Sequence, residues 1–221
     1  MTMAETAVGP GLRKASRVPD SRIRVDLQLI ADMVEPKTRV LDVGCGDGAL
    51  LEYLTATKKV DGRGVELSQQ NVNACVARGL AVIQGDADTD LGEYPSQVFD
   101  VVILSQTIQA TRNPKGVLGH LLRIGRRTAV SLPNFGHWRV RLNLLMRGRM
   151  PRTKALGYEW YDTPNIHLCT IADFAALAKE AGGEIERALA LSEDGSTRPM
   201  RAEAWSPNVL AEGAIFLLRA R

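Results

Sequence analysis

The segment VLDVGCGDGALL, Val40 to Leu51, restricts the fold more than any other part of the chain. A short apolar run, RVLDV, leads straight into Gly44-x-Gly46-x-Gly48, and Leu50, Leu51 and Leu54 follow as the inner face of a helix. Glycine is needed at such a turn because the chain reverses tightly and a Cβ would hold a ligand off the backbone. The helix N-terminus behind it offers unpaired N–H groups and a positive dipole end. The same strand-then-helix pattern recurs downstream. Strands are expected at 64–67, 80–84, 99–104 and 129–132, and helices at 69–78 (capped by Ser68) and 114–124 (opened by Asn113 and Pro114). Before the loop, Ile23, Leu27, Ile30 and Val34 space a helix that Pro36 closes. Strands alternating with helices predict an α/β, doubly wound sheet.

Acidic side chains fall where such a sheet binds ligands. Glu66 ends the second strand eighteen residues after Gly48, near the offset of a ribose-binding acid. Leu67 follows it and offers an apolar face, and Gly85-Asp86-Ala87 ends the third strand. All lie at carboxyl ends of strands, the ligand crevice of an open α/β sheet. Together these residues resemble the class I S-adenosylmethionine (SAM)-dependent methyltransferases, whose GxGxG spacing differs from the GxGxxG of NAD enzymes. That resemblance implies a Rossmann-like, mostly parallel seven-stranded sheet with its last strand antiparallel. It also implies SAM or S-adenosylhomocysteine as cofactor. Gly44, Cys45, Gly46 and Gly48 would border the methionine part, Glu66 and Leu67 the ribose and adenine, Asp86 and Ala87 the adenine, and Ser105 and Gln106 the sulfonium, with Asp42 also among the cofactor-binding residues. No acceptor-activating residue is identified. The Asn-Pro-Pro-aromatic motif of amine methyltransferases is replaced by Leu104-Ser105-Gln106-Thr107, and Cys45 reads as a small loop residue rather than a nucleophile.

Composition excludes other classes. The chain has 221 residues, and no apolar run approaches the roughly 18 a membrane span requires. The N-terminus lacks an apolar signal region, and three scattered cysteines imply neither zinc nor a disulfide framework, so a reduced, cytoplasmic protein without a structural metal is expected. Residues 1–20 read as a loose arm, and 21–221 as one domain with an insertion at about 134–169.

Charge is unevenly distributed. From Val101 to Tyr158 there is no Asp or Glu but eleven Arg and Lys, while the remainder carries 17 bases against 25 acids. Late in this stretch a helix is expected over 137–146, with Trp138, Leu142, Leu145 and Met146 on one side. Phe135, Trp138, Tyr158, Trp160 and Tyr161 are five of the chain's eleven aromatics, interleaved with Arg139, Arg141, Arg147, Arg149 and Arg152. Three readings follow: a protein-partner surface, a solvated basic face over core aromatics, or a nucleic-acid track. His137 reads as a capping or packing residue as readily as a base.

Four strings, VLDVGCGDG, VILSQTIQA, PNFGHWRVRLNLLMRGRMP and YEWYDTPNIHLCT, resemble the MetW family of methionine-biosynthesis proteins over about residues 23–191. The resemblance implies a methyltransferase-like accessory subunit that associates with MetX, the homoserine O-acyltransferase, and raises its activity. It makes nucleic acid the least expected partner. By this reading Phe135, His137, Trp138, Arg139, Arg141, Arg147, Arg149, Tyr158, Trp160 and Tyr161 form the partner interface. The acyl-transfer nucleophile belongs to the partner, since no G-x-S-x-G elbow occurs here. The alternative is a SAM-dependent methyltransferase acting on a small molecule.

Overall fold

The computed structural model describes residues 23–153, 156–192 and 194–221, so the expected arm at 1–20 lies outside the described residues. Helix α1 (Val25–Met33) buries Ile30, Ala31 and Met33 and precedes β1 (Arg39–Val43). The glycine turn then feeds α2 (Ala49–Lys58), which buries Leu50, Leu51 and Leu54. The units β2 (Asp61–Glu66) and α3 (Gln69–Ala77) lead to β3 (Ala81–Gln84). Chain direction then reverses across the sheet to β4 (Phe99–Ser105), α4 (Pro114–Ile124) and β5 (Gly125–Pro133). Asn113 caps α4 by accepting from Gly116 N at 3.0 Å, with Pro114 in the first turn.

Beyond β5 come α5 (Trp138–Arg147), α6 (Ile171–Glu180), β6 (Gly183–Leu191), β7 (Thr197–Pro199), α7 (Trp205–Leu210) and β8 (Gly213–Ala220). The eight strands run in the order β3-β2-β1-β4-β5-β8-β6-β7. β1 to β5 pair in parallel, and β8 lies antiparallel between β5 and β6. This is the expected doubly wound sheet with an antiparallel last strand. The polar loop between the final two long strands adds the short hairpin strand β7 as an eighth, at the edge.

Both faces of the sheet are covered. Val40, Val101, Ile103 and Ala129 pack beneath α1 and α2, while Leu41, Val102, Leu104 and Val130 pack beneath α4 and α6. Continuous apolar strands such as FDVVILS are the consequence of that double burial. On the second face Phe174 of α6 stacks on Phe216 of β8, ring centroids 4.7 Å apart. Because β2 and β3 lie on one side of β1 and β4 on the other, the strand order reverses between β1 and β4. Loops diverge there and open a crevice at the carboxyl ends.

Candidate functional site

The glycine turn sits over that crevice with all three glycines in the left-handed region: Gly44 at φ +70°, Gly46 at +57° and Gly48 at +80°. Two are fixed by their neighbours as well. A Cβ on Gly44 would stand 2.7 Å from Thr107 Oγ1, and one on Gly48 2.5 Å from Leu80 Cδ1. At Gly46 a Cβ meets nothing within 4 Å, so its requirement is conformational rather than spatial.

Glu66, 9% exposed, ties this turn to the next one. Its Oε2 accepts from Gly46 N at 2.8 Å, and its Oε1 accepts from Ser68 N at 2.9 Å and Asn71 Nδ2 at 3.4 Å. An ionised carboxylate has about four acceptor positions, so this clamp still leaves capacity for a ligand hydroxyl. Leu67 stands exposed at the rim.

Together these residues line a cavity of about 590 Å³, within the size range of small-molecule sites. Val43, Gly44, Glu66 and Leu67 form one wall, Asp86 and Ala87 another, and Gln106 and Thr107 the floor beyond β4. Gln106 adopts φ +53°, rare for a residue with a side chain and a mark of functional loops. It is held there by its N–H, which donates to Ser131 O at 2.9 Å, and by Nε2, which donates to Asp26 Oδ2 at 3.1 Å.

The remaining expected residues fall elsewhere. Cys45, Gly46 and Gly48 shape the loop without lining the cavity. The Ser105 hydroxyl lies 3.1 Å from Ser131 Oγ and also does not line it. Burial pushes the Cys45 thiol well up, as do nearby Asp42 and Cys75, which fits a loop residue and not a thiolate. Asp42 is buried on the α1 face of β1, with Oδ1 lacking any partner. Burial, reinforced by the charge of Glu66 and opposed by Arg24, raises its pKa to about 7. Asp86 pairs with Arg112 across the cavity mouth.

Several lining residues escaped sequence reasoning: Asp88, Thr111, Arg112, Pro164 and Asn165. Asp88 accepts from Arg112 N and Asn113 N, both at 2.8 Å. Burial would raise its pKa, but these backbone bonds and the Arg112 guanidinium outweigh burial and hold it below the usual range. The Asx-like run DADTD before β4 was the available signal for it. Pro164 and Asn165 reach the cavity from the insertion, and no local pattern announces that approach.

Of the expected interface residues, Trp138, Arg139, Arg141, Arg147, Arg149, Tyr158, Trp160 and Tyr161 are exposed, and Phe135 is half-buried. His137 departs from the expectation: it is 7% exposed, at the N-cap of α5, beneath the surface its neighbours form. Asn134, 1% exposed, anchors this region. Its Oδ1 accepts from Gly136 N and Ile171 N, and its Nδ2 donates to Asn208 O and Ala211 O.

Comparison with known proteins extends this geometry. The family model described as methionine biosynthesis protein MetW matches residues 24–218. A bifunctional methionine biosynthesis protein MetXA/MetW of Rhodopirellula baltica is 34% identical over 163 residues, covering 70% of this chain and 26% of the relative. A fatty-acid O-methyltransferase of Mycolicibacterium smegmatis is 40% identical over 70 residues, covering 29% of this chain and 25% of that protein. The chain thus spans about a quarter of the length of these curated relatives. Among solved structures, a SAM-dependent methyltransferase of Thermotoga maritima superposes with a TM-score of 0.65 at 17% identity, covering 89% of this chain and 88% of that one. One of Mesorhizobium loti gives 0.63 at 14%, covering 89% and 98%. At such identities these two establish the fold alone: a class I methyltransferase fold.

Proposed function

The chain belongs to the MetW family of methionine biosynthesis proteins, and from that premise we propose that it binds SAM or S-adenosylhomocysteine and serves as an accessory subunit to MetX, a homoserine O-acyltransferase. The observation that carries the first half is the cavity over the glycine turn, where Gly44, Glu66, Leu67, Asp86, Ala87 and Gln106 converge. These residues suit a nucleoside with an amino-acid tail. Glu66 has acceptor capacity for a ribose hydroxyl, Leu67 gives the purine an apolar wall, and Asp86 with the Ala87 backbone faces its polar edge. The unpartnered Oδ1 of Asp42 lies under the loop, where a carboxylate favours a cationic tail. When bound, SAM supplies an electrophilic methyl group on a sulfonium. This chain's residues bind, orient and shield that group.

The second half is supported by the Rhodopirellula baltica relative, whose printed name joins MetXA and MetW in one polypeptide. The acyl-transfer nucleophile then resides in the partner. The chain is expected to co-purify with the homoserine acyltransferase and to raise its acyl-transfer rate. No complex and no change in rate would overturn this half. For the pocket, calorimetry with S-adenosylhomocysteine is expected to show weaker binding for Glu66→Ala and Gly46→Val. Glu66→Ala removes the clamp and its ligand contacts, and Gly46→Val forces a β-branched residue to φ +57°. Unchanged affinity in both would refute the assignment.

A second reading, a small-molecule methyltransferase, is favoured by a neighbouring cavity of about 570 Å³ on the α1 side of Gln106, lined by Arg24, Asp26, Ser131 and Glu212. It provides room for an acceptor beside the first cavity. Asp26 is already engaged by Arg24 and Gln106, so acceptor activation would rest on positioning. Conversion of SAM to S-adenosylhomocysteine that depends on an acceptor and not on MetX would establish this reading over the first.

A further inference from the structure

α5 is a helix without a home. Of its ten residues only Val140 is buried, although the sequence WRVRLNLLMR carries six large apolar side chains. Leu145 is 82% exposed and Met146 73%. The segment that follows behaves likewise, with Trp160 70% and Tyr161 73% exposed. Ten of the fifteen large apolar side chains that stand exposed among the described residues fall between Trp138 and Leu168. So many exposed apolar side chains gathered in one segment mark a surface covered in the working state.

The face also has a shape. Beside α5 a groove of about 330 Å³ is walled by Phe135, Met150, Tyr158, Trp160, Ile166 and Leu168. Its rim is basic. Arg152 pairs with Glu159, and Arg139 lies 5.4 Å over the Trp138 ring. Arg147 and Arg149 are exposed with no carboxylate partner among the described residues. An apolar centre holding aromatic anchors inside an Arg rim is the composition of a protein–protein hot spot.

Resting on the reading above, we propose that this face docks the homoserine acyltransferase. An apolar side chain of the partner fills the groove, apolar surface covers Leu145 and Met146, and acidic side chains meet Arg147 and Arg149. Charge decides between occupants. A second copy paired about a two-fold axis would bring like Arg rims together. A nucleic acid would match the rim but leave Leu145 and Met146 uncovered. An acidic-rimmed protein satisfies both centre and rim.

The test uses the full chain and the full acyltransferase of the same organism, titrated by calorimetry, with S-adenosylhomocysteine affinity as the check on folding. Leu145→Asp with Met146→Asp is expected to weaken the complex at least ~30-fold, a hot-spot-sized loss, with cofactor affinity unchanged. Arg147→Glu with Arg149→Glu is expected to slow association and flatten its salt dependence. Should the aspartate pair fail to fold, the charge-reversed pair and Trp160→Ala carry the test. Wild-type affinity in these variants overturns the docking face while leaving the proposed function standing; no complex with the wild-type chain overturns both. A dimer of this chain that the aspartate pair dissociates, or RNA binding that the charge reversal abolishes, assigns the face to another occupant and overturns the proposal.

Discussion

Asp42 and Glu66 show how two carboxylates one strand apart come to different tasks. Glu66 receives backbone N–H groups from both adjoining turns, so its charge is compensated and its position fixed. Asp42, on the neighbouring strand and the same face of the sheet, has an unpartnered oxygen and a pKa raised to about 7, by burial first and by Glu66 second. Between the ordinary value of 3.8 and about 7 the folded chain holds a proton that the unfolded chain has released. Asp42 therefore costs stability as pH rises through that window, and the cost is complete above it. Asp42→Asn keeps the shape and removes the titration. Urea melts at pH 5 and pH 8 are expected to show the variant gaining on the wild type by roughly 2–4 kcal/mol over that interval; parallel pH profiles would give Asp42 an ordinary titration. Glu66 predicts the opposite kind of effect. Glu66→Gln keeps one carbonyl acceptor but turns the other arm's donor toward a backbone N–H. It is expected to lower S-adenosylhomocysteine affinity ~10-fold, about the worth of one charge-assisted hydrogen bond, and to lower the melting temperature as well, because one backbone N–H loses its acceptor.

The elements differ in how far the sequence announced them. The helices at 69–78 and 114–124 were readable because their signals are local: a cap, a first-turn proline, an apolar stripe. Glu66, Asp86 and Gln106 were readable as cavity residues because strand ends fix their location in this topology. Pro164 and Asn165 were not, because their place depends on how the insertion folds back from a hundred residues beyond the glycine turn. α5 was half legible. Its period predicted the helix, and only the fold reveals that nothing covers it. The chain entering α5 is anchored by Asn134, whose four hydrogen bonds, three of them buried, join the end of β5 to Gly136, α6 and the end of α7. Gly136 is equally confined, since a Cβ there would lie 2.9 Å from Thr170 Cγ2 and 3.0 Å from Asn208 O. Truncation of Asn134 strands two carbonyls and two N–H groups. Asn134→Ala is therefore expected to cost about 2–4 kcal/mol in denaturant melts and to increase hydrogen exchange in α5 and α7 before the central strands. A loss spread evenly over the sheet would show that Asn134 does not act as a local anchor.

At the scale of the whole molecule the proposed cofactor cavity and the apolar groove are neighbours with a common wall. Asn165 lines both, with Pro164 turned to the cavity and Ile166 to the groove. Three consecutive residues thus separate the proposed nucleoside site from the proposed docking face, so a displacement of Asn165 alters the lining of both. His167 N donates to Gln109 O at 2.9 Å, which ties the strap to the body just beyond this wall, while Asn165 N donates to Thr163 Oγ1 at 3.1 Å within the strap itself. A shared wall couples two sites when it has two arrangements that the ligands prefer differently. Linkage then demands reciprocity: whatever factor S-adenosylhomocysteine imposes on acyltransferase affinity, the acyltransferase imposes on S-adenosylhomocysteine. Titrating each ligand with and without saturating amounts of the other is expected to give the same change both ways, of about fivefold or more, the low end of measured allosteric couplings. Asn165→Ala changes each affinity in its own right, so the informative quantity is their ratio, expected to fall toward one. Two ligands that ignore each other in the wild-type complex would reduce the shared wall to a coincidence of packing.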